Sequence, residues 1–233
     1  KKGTLVASIK GTKSKDIVNI LEKLPLESRC KVKEVTLDMA KNMESAVKQS
    51  FPCSTLVIDR FHVVKLAIEG LQHLRISYRW EELDKENKAI DKAKKQGKKY
   101  TAIELENGDT PKQLLARCRY ILSKKASSWT ATQSQRAKLL FKHYPLLEKA
   151  YKHILEFRNI YELHSRSYAE SKLLTWIDKT EKLQMKEFNA VAYTIKYNLE
   201  KILNFFNNRN TNANAESFNS KIKLFRANLR GVT

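Results

Sequence analysis

Two aspartates in this sequence have the residue type and the position of metal ligands. Asp38 follows the β-type run 32–37, and Asp59 follows a second such run, 55–58. Because open α/β sheets bind ligands at the carboxyl ends of their strands, we expect both carboxylates at one edge of a sheet. Paired carboxylates in that position hold Mg²⁺ against phosphate oxygens. The alternative is that each aspartate caps the helix that follows it, which is the commoner role on sequence grounds alone.

A histidine and a glutamate extend this set. His62 lies one helical turn after Asp59, so that the carboxylate can orient the imidazole or share a ligand with it. A histidine that merely lines the junction of strand and helix is an equally good interpretation. Glu216 is a lone acid among basic neighbours on the last predicted helix. It is either a metal ligand surrounded by phosphate-binding cations or a solvated ion-pair partner.

The last predicted helix separates an apolar side from a polar one. On a helical wheel, Ala215, Phe218, Ile222, Phe225 and Leu229 form one apolar stripe. The polar residues around Glu216 are expected to contact nucleic acid through phosphates and amide groups. The residues assigned to this role are Asn214, Asn219, Lys221, Lys223, Arg226 and Arg230.

The elements that must position these side chains change character near residue 60. The first part alternates strand and helix, with strands at 4–9, 32–37 and 55–58 and helices between them, which predicts a partly parallel sheet. Beyond residue 60, the apolar residues recur with the spacing of an α-helix. A long helix runs towards Lys94, 94–111 is a loop or small hairpin, and an asparagine-rich turn precedes the last helix. The further predicted helices are 112–125, 130–143, 146–164, 167–182 and 185–206.

The charge of the chain points to a polyanionic partner. Among 233 residues, 45 are Lys or Arg and 25 are Asp or Glu, which gives a net charge of +20. The excess lies in the second half, where 112–172 alone carries 13 basic and 4 acidic residues. Such cations gain binding energy by displacing the counterions of a phosphate backbone. No run approaches the ~18 apolar residues of a membrane span, and no apolar signal region follows Lys1, so we expect a soluble, non-secreted chain.

Several of these motifs, in this order and spacing, resemble the DDE transposases of bacterial insertion sequences, in the branch called here the ISL-three family. They are Leu37-Asp38-Met39, Pro52, Val57-Ile58-Asp59-Arg60-Phe61-His62-Val63-Val64, Asn214-Ala215-Glu216-Ser217-Phe218-Asn219, Ile222-Lys223 and Arg230-Gly231. The resemblance implies an RNase H-like sheet whose three acids bind two divalent cations, Mg²⁺ or Mn²⁺. It identifies Asp38 with the second acid and Glu216 with the third, and Asp59 and His62 with the supporting D-x-x-H signature. A second alignment makes Asp59 the second acid.

The resemblance also implies a domain plan and a set of partners. We expect a helix-rich α/β chain with a partial RNase H-like core over 1–64, an all-helical insertion over 65–206, and the catalytic-core helix over 207–233. The family's first aspartate lies upstream of the strand that resembles Leu5 to Ile9, where no candidate precedes Lys1. We therefore expect a piece of a transposase that cannot cleave DNA by itself. Its partners would be double-stranded DNA and a second copy, in the bacterial cytoplasm near the nucleoid.

Two other functions remain open on sequence grounds. A structure-specific nuclease would use the same site chemistry without joining DNA ends. A non-catalytic helical DNA-binding module would use the acids only to cap helices.

Overall fold

A computed structural model describes residues 7, 9, 11–183 and 185–229. Its described residues separate into two units. The first unit is formed by the described residues of 1–63, 163–170 and 198–233, and the second by 64–162 and 171–197.

The first unit contains a parallel pair of strands. Its elements up to residue 58 are α1 (Ser14–Leu21), α2 (Leu26–Cys30), β1 (Glu34–Leu37), α3 (Lys41–Ser50) and β2 (Thr55–Ile58). The strands β1 and β2 pair in parallel with Leu37 opposite Ile58. Parallel neighbours require a crossover connection, which α3 supplies. Val57 and Ile58 are buried, as the apolar run 55–58 predicts.

The chain returns to this sheet after residue 198. The helices α10 (Leu199–Leu203), α11 (Phe205–Asn208) and α12 (Ala213–Asn228) belong to the first unit. Helix α10 packs against β2. The Asn204 side chain donates a hydrogen bond to the Leu56 carbonyl at 2.9 Å, and Lys201 pairs with Glu44 at 2.7 Å. These contacts bring the residues that precede α12 to the sheet.

The second unit is helical throughout its regular elements. It contains most of α4 (Arg60–Lys95), then α5 (Pro111–Arg117), a 3₁₀ turn (Ala126–Ser128), α6 (Ala131–His143), α7 (Pro145–Ile160), part of α8 (Arg166–Lys182) and α9 (Lys186–Tyr197). Thr130 begins α6 with a capping box, and at the start of α5 the Gln113 side chain accepts a hydrogen bond from the Thr110 N–H at 2.9 Å. The core draws on α4 to α7 and α9, with Leu71, Leu114, Leu140, Leu147, Ile154 and Phe188 fully or almost fully buried.

The sequence prediction of a helix-rich α/β chain is confirmed, while the RNase H-like fold stays a prediction. The predicted continuous helix 185–206 is wrong, because the chain breaks at Asn198 and again at Asn204, whose side chain bonds to β2 instead. Helix α5 ends at Arg117 rather than at residue 125, and α2 was missed by the periodicity. The predicted strand 4–9 lies mostly outside the described residues. In the described part of the chain no helix is both long and apolar enough to span a bilayer.

Candidate metal centre

Three side chains with ligand atoms meet at the carboxyl end of β2. Asp59, His62 and Glu216 each offer one such atom, and these atoms lie within 4.8 Å of one another. Asp59 and His62 are local neighbours, whereas Glu216 comes from the far end of the sequence. The arrangement therefore results from the fold of the first unit rather than from sequence proximity.

Asp59 is held in place by two backbone donors. Its side chain is only 2% exposed. Oδ1 accepts a hydrogen bond from the Phe61 N–H at 2.8 Å, and Oδ2 accepts one from the Asn212 N–H at 2.5 Å. The first bond caps the start of α4, and the second ties the residue before α12 to the sheet edge. Each carboxylate oxygen keeps a second lone pair with which to bind a cation.

His62 faces Glu216. Its Nε2 lies 3.8 Å from Oε1 of Glu216. Its Nδ1 is buried and has no hydrogen-bond partner among the described residues. Buried polar atoms are rarely left unpaired, so an imidazole with one unpaired nitrogen and one nitrogen facing a carboxylate is a good candidate for a ligand.

Glu216 lies in the first turn of α12, where its N–H donates to the Asn212 carbonyl at 3.0 Å. The positive end of the helix dipole favours an acid at this position. The side chain is partly exposed and faces His62. Glu216 therefore presents its carboxylate to the cluster without the two backbone bonds that restrain Asp59.

Asp38 lies at the same edge of the sheet but outside this cluster. The register places it beside Asp59, whose N–H donates to the Leu37 carbonyl at 2.9 Å. Its Oδ1 accepts a hydrogen bond from the Ala40 N–H at 3.0 Å, in the turn before α3. Among the described residues, the group of mutually close ligand atoms contains Asp59, His62 and Glu216 and does not contain Asp38.

The remaining polar residues assigned to DNA contact lie on the surface. Asn214, Asn219, Lys221, Lys223 and Arg226 are exposed on α12, and Arg230 lies outside the described residues. The predicted apolar stripe of this helix is present as a pattern, but the described chain buries none of the residues of α12. The hydrogen bond from the Asn212 N–H to Asp59 could not be predicted, since the asparagine-rich run indicates a turn but not the partner of its backbone N–H.

The donor set fits a divalent cation. Its two carboxylates suit Mg²⁺ or Mn²⁺, and its imidazole is a ligand type that transition metals such as Zn²⁺ also accept. The Nε2 of His62, which faces Glu216, and the carboxylate oxygens of Asp59 and Glu216 are available for this role.

The comparison with known families identifies the chain. A family model described as a transposase, that of the ISL-three DDE transposases, matches residues 1–233. The chain belongs to the ISL-three family of transposases. Neither the search of curated proteins nor the search of solved structures found a significant match. As a transposase, the protein is expected to act on DNA, and its family implies the use of divalent metal.

Proposed function

We propose that this chain supplies part of the active site with which a transposase carries out metal-dependent DNA cleavage and strand transfer at the ends of an insertion sequence. The observation that supports the proposal is the meeting of Asp59, His62 and Glu216 at the carboxyl end of β2. Nothing local in the sequence requires Glu216 to approach the other two, which lie more than 150 residues earlier in the chain.

Each residue of the site has a role in this proposal. Asp59 and Glu216 hold the cation, and His62 acts as a third metal ligand or takes up a proton. Asp38, at the same edge, contributes to a second cation site. When bound, a pair of such cations activates the attacking oxygen and stabilises the leaving oxygen of a phosphodiester. Lys223 and Arg226 would position phosphates, which gives affinity without sequence specificity.

Manganese binding by the chain itself tests the site. We expect isothermal titration with Mn²⁺ to show saturable binding that Glu216→Gln weakens at least tenfold. Glu200→Gln is the matched control, because Glu200 is an exposed acid of the same unit that pairs with Arg166 at 2.7 Å. Equal affinities in the two variants would refute the metal centre. Asp38→Ala in the same titration shows whether Asp38 joins the site.

Joining of DNA ends separates a transposase reaction from a nuclease reaction. The assay uses a protein in which the family's first aspartate precedes residue 1, with paired transposon ends and a target duplex. We expect joined products that are lost in the Asp38→Ala, Glu216→Ala double variant. Cuts without joining would favour a nuclease.

One observation favours a second candidate, a non-catalytic DNA-binding module. Asp38 and Asp59 each accept a hydrogen bond from the N–H two residues further on, as capping and turn residues do. In that case the Mn²⁺ titration would show no saturable binding in the unmodified chain, while DNA binding would persist.

A further inference from the structure

The second half of α4 is a helix with little cover. No residue between Ile76 and Lys95 is buried, although the preceding turns of the same helix contribute Leu71 and Leu74 to the core of the second unit. Twenty residues of helix in water are only marginally stable without a packed face. This segment, called here the distal α4 segment (76–95), is packed on one side only, where Tyr78 contacts Tyr144 of the second-unit core with ring centroids 5.1 Å apart.

The distal α4 segment has its own apolar stripe. Ile76, Trp80 and Ile90 are 38%, 61% and 39% exposed, and Leu83 is half-buried. With Asn87 they form the series Ile76, Trp80, Leu83, Asn87 and Ile90, whose steps alternate between four and three residues. This is the spacing of the a and d positions of a coiled coil, with Trp80 and Asn87 at a.

Another side of the same helix is already in use. Glu82, Glu86 and Ala89 line a cavity together with Tyr100 and Pro111, and Glu86 pairs with Lys112. Successive residues of a helix are about 100° apart, so the residues of the stripe and those that line the cavity lie on different sides of α4. The loop that follows α4 covers the cavity side and leaves the stripe exposed.

The charge around the stripe argues against DNA as its occupant. Over Ile76 to Asp91, the part of the segment that carries the stripe, there are three basic and five acidic residues, although the whole chain carries +20 and Lys92, Lys94 and Lys95 complete the segment. The stripe is therefore flanked by a net negative surface, which disfavours a polyanion there more than it disfavours a helix of mixed charge.

We propose that a second copy of this chain covers the stripe, as a parallel two-stranded coiled coil of the two distal α4 segments. In that register Asn87 lies opposite Asn87 of the second copy, where paired amides fix alignment and oligomeric state. Arg79 at g then faces Asp84 at e of the other helix, twice by symmetry. Glu86 at g faces Asp91 at e, which are like charges, but the repulsion between them is weakened because Lys112 already neutralises Glu86.

An antiparallel arrangement that pairs Trp80 with Ile90 is less complementary. It places Asp84 opposite Asp84 across the seam between the two helices, whereas Glu86, which also faces its own copy, is already neutralised by Lys112. The parallel pairing is thus the one that the charges favour. This inference does not rest on the metal centre, which belongs to the other unit.

Sedimentation equilibrium of the DNA-free chain tests the seam. In about 0.5 M salt, where the Debye length is ~4 Å, repulsion between the highly charged copies is screened. We expect a dimer whose dissociation constant rises at least about 100-fold in Trp80→Glu and in Ile90→Asp, since each puts a charge into an apolar seam. Ile103→Asp is the matched control, because Ile103 is 75% exposed and lies outside the stripe. Far-UV circular dichroism identifies a variant that has not folded. In that case the dissociation constant of the other seam variant decides the test.

A charge exchange tests the orientation. Arg79→Asp and Asp84→Arg should each weaken self-association, and an equimolar mixture of the two should restore a mixed dimer, because both seam pairs are again opposite in charge. A monomeric unmodified chain at concentrations up to about 0.1 mM, which detect a dissociation constant of that order, would overturn the proposal. So would a dimer that the seam variants leave intact, or a mixture that fails to pair.

Discussion

At the scale of single residues, Asp59 combines a structural and a chemical role. Its two oxygens each accept one backbone N–H, from Phe61 and from Asn212, and the second bond ties the turn before Glu216 to the sheet. A capping aspartate is therefore not an alternative to a ligand here. The same bonds that cap α4 also set where Glu216 begins its helix.

The number of acceptors at Asp59 leads to a prediction about stability. Asp59→Asn keeps one oxygen and replaces the other with an N–H donor, so one backbone N–H loses its acceptor, which costs about 1–3 kcal/mol. We expect hydrogen exchange at the Phe61 or Asn212 amide to accelerate accordingly. Asp38→Asn is the control, since among the described residues Asp38 accepts one hydrogen bond, from the Ala40 N–H, and an amide oxygen suffices for it. Equal acceleration near both sites would contradict this account.

A buried histidine makes the second unit sensitive to acid. His153 is 5% exposed, stacks on Trp176 with ring centroids 4.4 Å apart, and has Nε2 2.6 Å from the Thr180 hydroxyl. That hydroxyl donates to the Trp176 carbonyl, so His153 donates through Nε2–H and is neutral. Burial lowers its pKa to about 4. The unfolded chain therefore binds a proton below about pH 6.5 that the folded unit does not.

The resulting pH dependence has a definite sign. The free energy of unfolding of the second unit should be constant above pH 6.5 and should fall by about 2–3 kcal/mol as the pH drops from 6.5 to 4. Urea titrations followed by tryptophan fluorescence measure this, because Trp80, Trp129 and Trp176 all lie in that unit. His153→Gln keeps an N–H donor and does not titrate, so it should remove most of this slope. A variant with the slope of the unmodified chain would rule His153 out as the cause.

At the scale of elements, the sequence predicts those helices and strands whose positions depend on neighbouring residues. The apolar run 55–58 predicts β2, and the helical periodicity predicts a helix at 130–143 where α6 lies. The breaks at Asn198 and Asn204 could not be read from periodicity, since Asn204 bonds to a strand far away in sequence. The same applies to the site, because the sequence favoured Asp38 as the partner of Glu216. The structure brings Asp59 and His62 to it through a backbone bond of Asn212.

The capping box of α6 carries a prediction of its own. The Thr130 hydroxyl accepts from the Gln133 N–H at 3.2 Å, and the Gln133 side chain accepts from the Thr130 N–H at 3.2 Å. Thr130→Ala should lower the free energy of unfolding of the second unit by about 1 kcal/mol. Thr175→Ala, at an exposed position inside α8, should change it by less than about 0.5 kcal/mol. The same urea titration at neutral pH compares them, and similar losses would show that the cap does not stabilise α6.

At the scale of the whole molecule, the charge of +20 is unevenly compensated. Several lysines of the second unit are neutralised one helical turn away, as Lys85 is by Glu82, Lys152 by Glu148 and Lys182 by Asp178. By contrast, the charged groups of Arg119, Lys124 and Lys125 have no acidic partner within 4.0 Å in the described ranges of the chain. Beside them, Tyr120 is exposed, with the Arg119 guanidinium 5.3 Å from its ring centroid. Uncompensated cations are the ones that gain most by meeting phosphates.

This difference predicts which cations govern DNA binding. Replacing Arg119, Lys124 and Lys125 together with alanine should reduce the slope of log Kd against log salt by roughly 2 to 3, at about 0.9 per lost phosphate contact. Replacing Lys85, Lys152 and Lys182 removes the same formal charge but should change the slope by less than about 1, because their acids already compensate them. Fluorescence anisotropy with one duplex over a salt series measures both. Equal slopes in the two triple variants would mean that net charge alone, and not the placement of free cations, determines how this transposase holds DNA.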